Sequence, residues 1–139
     1  MTDEQLQKKR WLNRVKSAEK TALVYANIYD TKKEIVYFMK KEYRICGSAS
    51  KKNIIEMKIT DMLEAERQMN EQFEEVERIT EEVHKAIHSI PDERLALLLN
   101  ARYMLFQTHE QTAEMLNVSV KTAKRLHKKA LDALKIDPL

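Results

Sequence analysis

Thr108-His109-Glu110-Gln111-Thr112-Ala113-Glu114-Met115-Leu116-Asn117-Val118-Ser119-Val120-Lys121-Thr122-Ala123-Lys124-Arg125-Leu126-His127 is the stretch that decides how this chain folds. Thr108 followed by Gln111 is a capping-box pattern, which opens a short helix. Asn117 is the best non-glycine choice for the left-handed residue that stops one. Ser119 is then placed to cap a second helix, running to about Lys135. These signals predict a helix of about two turns, a three-residue turn and a longer helix, which is a helix-turn-helix. The apolar positions agree. Ala113 is small where the two helices cross, Leu116 and Val118 bracket the turn, and Ala123, Leu126, Ala130 and Leu134 line one face. The opposite face holds Lys121, Lys124, Arg125, Lys128 and Lys129, with no acidic residue between Asn117 and Leu131. Lys121 lies in the first turn, where the helix dipole disfavours a cation by ~0.3–1 kcal/mol. A sequence that keeps it there points to an anionic partner.

Upstream, Pro91 ends a helix because it lacks an amide hydrogen and pushes Ile90 out of the helical region. Asp92 and Glu93 start the next helix, expected to reach about Phe106 with Leu95, Leu98, Leu99, the Arg102 stem, Leu105 and Phe106 on its apolar side. Before Pro91, Ile55, Ile59, Met62, Glu66, Met69, Phe73, Val76, Thr80, Val83, Ile87 and Ile90 alternate in steps of four and three. Such a repeat is a coiled-coil seam, and the segment 53–90 reads as one long interaction helix. Leu63 and Ile79 thicken the seam, and Glu66 should meet a cation or mark register. Its partner is the first helix, a second copy, or both. The run 46–53 is loop-like, with the only glycine, Gly47, and would let this helix return antiparallel to an earlier one over about Glu4–Ile45. The basic start of that first helix, Lys8 to Lys20, reads as a solvated face.

One glycine and two prolines in 139 residues leave too few turns for a sandwich, a barrel or a Rossmann-like unit. A glycine-rich phosphate cradle is excluded on the same ground. No run of ~18 apolar residues spans a membrane, and the N-terminus has no apolar signal region. A lone Cys46 agrees with a reducing compartment, so the expected location is cytoplasmic. The fold class is therefore all-α: a long helical hairpin or coiled coil followed by a C-terminal helix-turn-helix. Residues 1–90 are expected to form the oligomerisation region and residues 91–139 the DNA-binding domain.

Charge is polarised along the chain. Residues 1–52 carry 13 Lys/Arg against 6 Asp/Glu, residues 53–94 carry 5 against 12, and residues 95–139 carry 7 against 4. Either the basic ends meet a polyanion, or the halves fold back and neutralise each other.

Residues 92–135 resemble region 4 of bacterial sigma factors. Thr108, Glu110, Ala113, Leu116, Val118, Ser119, Ala130, Leu131 and Leu134 fit that pattern, while Thr112 and Ala123 each replace a larger aliphatic residue. The regions with which true sigma factors melt DNA have no room in these residues, so the chain is not expected to be a full sigma factor. The whole chain also resembles small phage-encoded proteins grouped with ArpU- or RinA-type late transcription regulators, through Trp11-Leu12-Asn13-Arg14-Val15-Lys16, a Ser-containing linker, a long acidic helix and the Arg102-Tyr103 step. That resemblance implies control of phage or mobile-element genes in a bacterial host. By the region-4 resemblance, Val120, Lys121, Lys124 and Arg125 fill the base-reading positions. The residue chemistry gives Lys121, Lys124 and Arg125 groove contacts with Val120 and Thr122 beside them, Arg125 suiting a guanine. Ser119, Lys128 and Lys129 are assigned to phosphate. Expected partners are double-stranded DNA, a second copy of the chain and RNA polymerase.

No catalytic constellation accompanies this surface. His84 and His88 lie one helical turn apart without a third ligand nearby, so no metal site or other cofactor is expected. Cys46 has no His or acidic partner placed by the sequence, and Glu74-Glu75 and Glu81-Glu82 read as a solvated face. The chain is not expected to be an enzyme. Two other functions fit the same pattern. One is a small terminase subunit, which assembles as a ring; the other is a region-4 mimic that occupies RNA polymerase without binding DNA.

Overall fold

A computed structural model describes residues 1–136. Among them lie six helices and no strand: α1 (Asp3–Leu12), α2 (Arg14–Cys46), α3 (Ala49–His88), α4 (Glu93–Tyr103), α5 (His109–Leu116) and α6 (Val120–Ala133). The chain is all-α, with a long helical hairpin followed by a helix-turn-helix. The last three residues of the segment 91–139 lie outside the described residues.

The N-terminal helix is not continuous. Thr2 and Gln5 form a capping box: the Gln5 amide donates to Thr2 Oγ1 (3.1 Å) and the Thr2 amide donates to Gln5 Oε1 (3.0 Å). α1 ends at Leu12 and Asn13 breaks it, with ψ relaxed to −8°. Arg14 secures the break. Its Nε donates to the Trp11 carbonyl (3.0 Å), its guanidinium lies 4.8 Å from the Trp11 ring centre, and it pairs with Glu82 at 3.1 Å. The basic run is thus not uniformly solvated. Lys8 is buried, and its ammonium donates to the Asp132 carbonyl at 3.4 Å.

Only Gly47 and Ser48 separate α2 from α3, a tighter turn than the loop expected through Asn53. A Cβ at Gly47 would lie 2.6 Å from both the ring and the carbonyl of Tyr43, so the turn closes only without a side chain there. Lys51 fastens the turn, donating from Nζ to the Cys46 carbonyl (3.2 Å) and from its amide to Ser48 Oγ (3.3 Å).

Contacts divide the chain into two compact units, Met1–Ala18 together with the chain from Glu77 onward, and Glu19–Val76. Pro91 breaks a helix but falls inside the first unit. The reason is its core: Leu12, Val15, Val83, Ile87 and Ile90 share one buried cluster with Leu98, Leu99, Ala130, Leu131 and Leu134. The C-terminal end of the α3 seam is therefore filled by its own chain. In the second unit α2 and α3 run antiparallel, with Lys32 paired to Asp61 at 2.9 Å and Ala22, Val36, Ile55 and Ala65 buried. Here the seam is less complete than its spacing implies. Phe73 is 45% exposed, Leu63 is exposed instead of thickening the seam, and Glu66 keeps partial access to water.

α4 stops at Tyr103, three residues short of the expected Phe106. Phe106 takes a left-handed φ of 56°, and Gln107 then donates its amide to the Ala101 carbonyl (3.0 Å). This is a helix-ending wrap that normally uses Gly or Asn. Arg102 also donates to the Gln107 carbonyl. Leu105 and Phe106 consequently lie beyond the helix and exposed, off its apolar side.

Candidate nucleic-acid interface

The helix-turn-helix is assembled from local hydrogen bonds that its sequence dictates. Thr108 Oγ1 accepts from the Gln111 amide (3.2 Å), and Gln111 Oε1 accepts from the Thr108 amide (2.8 Å), a reciprocal pair that opens α5. Asn117 takes φ 57° and ψ 48° and ends α5, and the Val118 amide donates to the Ala113 carbonyl at 3.0 Å. Ser119, extended at φ −70° and ψ 158°, caps α6 by accepting from the Thr122 amide at 3.1 Å. The two helices can approach because Ala113 and Ala123 are small, and both are buried. Thr112, which stands where a larger aliphatic residue was expected, is also buried, its hydroxyl donating to the Thr108 carbonyl at 2.9 Å. A buried hydroxyl with a partner carries little penalty.

α6 separates its two faces sharply. Ala123, Leu126, His127, Ala130 and Leu131 are buried. Lys121, Lys124, Arg125, Lys128 and Lys129 are exposed, and so is Ser119 at the cap. Val120 and Thr122 are half-buried. Ser119 Oγ donates to the Thr122 hydroxyl at 2.9 Å, which leaves Thr122 its own hydroxyl hydrogen. The five cations thus share one open face, with Val120 and Thr122 at its N-terminal edge. The fold adds an acidic neighbour that linear spacing hides. The Glu110 carboxyl of α5 is held below the usual range first by its own backbone amide, then by the Thr108 hydroxyl and by the charge of Lys124.

Behind the cationic face lies a buried polar pair. Tyr103 Oη and His127 Nε2 are 2.6 Å apart, with the two rings stacked and the His109 ring edge-on to His127 at 5.3 Å. Burial, followed by the positive charges of Arg102, His109 and Lys9, lowers the His127 pKa to about 3. Burial likewise pushes the Tyr103 phenol up to about 12. Both groups are neutral over the physiological range, and their hydrogen bond satisfies two polar atoms in an apolar core. Burial also lowers His109, reinforced by Arg102 and Lys124. The sequence reading missed His127 as a core residue, although its spacing, four after Ala123 and three before Ala130, places it on that stripe.

From the other side, α1 packs on α6. Gln5 Nε2 donates to Asp132 Oδ1 (2.9 Å) and reaches the Lys128 carbonyl at 3.5 Å. The backbone of Lys128 is therefore tied to α1, while its side chain stays on the exposed face. Elsewhere, the rings of His84 and His88 stand 4.1 Å apart on the exposed side of α3, and no group of three or more metal-capable side chains occurs among the described residues. No helix among them is long and apolar enough to cross a membrane.

Residues 92–135 match the family model Sigma-70, region 4, which spans α4, α5 and α6. The match covers less than half of the chain and leaves α1, α2 and α3 outside it. No curated protein and no solved structure is significantly similar to the chain.

Proposed function

We propose that this protein is a sequence-specific DNA-binding transcriptional regulator of phage or mobile-element genes, acting in the cytoplasm of a bacterial host together with RNA polymerase. One observation carries the DNA reading. Five cations occupy the open face of α6, and that face lies on the second helix of a region-4 helix-turn-helix. In this motif the second helix enters the major groove with its N-terminal residues at base edges. On that geometry Lys121, Lys124 and Arg125 meet bases, with Val120 against a thymine methyl or sugar. Lys128 and Lys129 hold phosphates, and Ser119 joins them by turning its hydroxyl hydrogen from Thr122 to the anion. Thr122 accepts from Ser119 Oγ and keeps its own hydroxyl hydrogen, so it can donate beside the reading residues. Functionally, residues 91–139 bind DNA and residues 1–90 bring copies of the chain together.

Lys124→Ala with Arg125→Ala tests the reading. It removes two exposed cations and leaves Ala123, Leu126 and Ala130 in place, so folding should hardly change. Binding to the preferred site should weaken by ~2–5 kcal/mol in a gel-shift titration. Lys128→Ala should instead weaken all sequences alike and flatten the salt dependence by about one unit. A double variant that keeps its preference for one sequence over random duplex shows that α6 does not read DNA. Unmodified protein that retains no duplex but binds RNA polymerase would mark a polymerase-only mimic, and a ring of eight or more copies would mark a terminase subunit.

A further inference from the structure

We infer that the hairpin of residues 19–76 binds a second copy of itself in antiparallel register, along a stripe of α2 that its own α3 leaves uncovered. This deepens the oligomerisation reading of residues 1–90 and uses no residue of the DNA-reading face. α2 carries two apolar stripes. Ala22 and Val36 are buried, with Tyr29 half-buried midway between them, and Ala22 borders Phe73 and Val76 of α3. The second stripe is Val24, Ile28, Ile35, Phe38 and Ile45, with Thr31 and Glu42 completing steps of four and three. Its members are 56%, 42%, 42%, 58% and 77% exposed. Between Val24 and Ile45 such a line is about 30 Å long at ~1.5 Å per residue. A heptad line of that length in water, apolar at five of its seven positions, is a helix-pairing surface. A groove of about 500 Å³ runs beside it, between Ile28 and Ile35 on α2 and Lys58 and Asp61 on α3.

Charge identifies the occupant and its direction. The half of the hairpin nearer the turn, residues 32–61, holds eight Lys/Arg against four Asp/Glu. The other half, residues 19–31 and 62–76, holds two against seven. Laid antiparallel, two copies place the basic half of each over the acidic half of the other. A two-fold axis then forms the same favourable contact twice. Laid parallel, like charge meets like along the whole length. In the antiparallel register Ile35 meets its own copy near the axis, Phe38 meets Thr31, and Ile45 meets Val24.

Sedimentation of the full chain, in a Cys46→Ser background at tens of micromolar, should give a dimer. Ile35→Asp with Phe38→Asp should halve that mass while helical content by circular dichroism is kept. A monomer before mutation, a dimer that survives both aspartates, or an assembly of eight or more copies overturns the inference. Cysteine pairing in the same background decides the matter even where two aspartates disturb the hairpin. Under mild oxidation Ile35→Cys should link to itself, and Val24→Cys mixed with Ile45→Cys should link to each other. Val24→Cys alone should not, because antiparallel copies hold those positions about 30 Å apart and a disulfide needs Cα atoms within ~7 Å. Self-linked Val24→Cys overturns the register. A dimer that never links through Ile35→Cys overturns the surface and leaves oligomerisation itself standing. A correctly linked dimer that binds no DNA upholds the surface and removes the DNA reading.

Discussion

His127 gives the helix-turn-helix a defined response to acid. In the unfolded chain its imidazole titrates near the ordinary histidine value of ~6.5, whereas burial against Tyr103 lowers it to about 3 in the folded one. The unfolded state therefore takes up the proton first. The stability His127 contributes is whole above pH ~6.5 and is lost as pH falls toward ~3, by up to ~1.4 kcal/mol per pH unit. Urea unfolding at pH 7, 6 and 5 should show this slope, and His127→Gln, which cannot take the proton, should flatten it over pH 5–7. An unchanged slope in the variant would assign the acid sensitivity elsewhere. Asn117 makes a second expectation at this scale. Its left-handed backbone costs an ordinary residue ~1–2 kcal/mol, so Asn117→Ala should lower the midpoint of thermal unfolding and Asn117→Gly should not. Asn117 was legible because its residue type advertises the conformation. Phe106 adopts the same conformation with a type that advertises nothing. Its backbone is set by the Gln107–Ala101 hydrogen bond and by Arg102 closing the turn, contacts no periodicity reveals.

Among the elements, α5 and α6 were legible nearly to the residue, since caps and an αL stop are written in single side chains. α1 was not separated from α2, although Thr2–Gln5 repeats the pattern of Thr108–Gln111. The apolar stripe runs on past Asn13 through Trp11, Leu12 and Val15, and that continuity masks a break which Arg14 stabilises from three sides. Nor could spacing say which partner fills the α3 seam. Val83, Ile87 and Ile90 are buried by the chain's own core, whereas Phe73 stays half open. Docking of α1 on α6 is testable through Trp11, the only tryptophan. Leu12 is wholly buried, so Leu12→Ala should cost ~2–5 kcal/mol. Trp11 fluorescence and circular dichroism should report one coincident transition in the unmodified protein. An earlier fluorescence transition would mean that α1 detaches independently of the helix-turn-helix.

Across the whole chain, two readings of its polarised charge compete, and different segments answer differently. Arg14 pairs with Glu82 and Lys32 with Asp61, so part of the basic N-terminal segment is neutralised by the acidic middle. The cations of α6 lie exposed, with Glu110 as the acidic neighbour of Lys124. Linear charge counts could not apportion these roles, because long-range pairing decides them. The same long-range pairing governs where the chain can be cut. The segment 91–139 contains the entire family match but lacks Trp11, Leu12, Val15, Ile79, Val83, Ile87 and Ile90, all members of the core cluster around α4 and α6. A piece of this size is marginal even with its core intact. Expressed alone, residues 91–139 should show reduced helicity and a broad thermal transition, and should bind duplex more weakly than the full chain. Extending the fragment back to residue 77 restores the α3 part of the core without α1. It should therefore recover helicity in part, with full stability returning only when residues 1–18 are added in trans or by fusion. If residues 91–139 alone match the full chain in melting midpoint and affinity, the buried contacts from α1, from the start of α2 and from α3 contribute nothing to the DNA-reading unit.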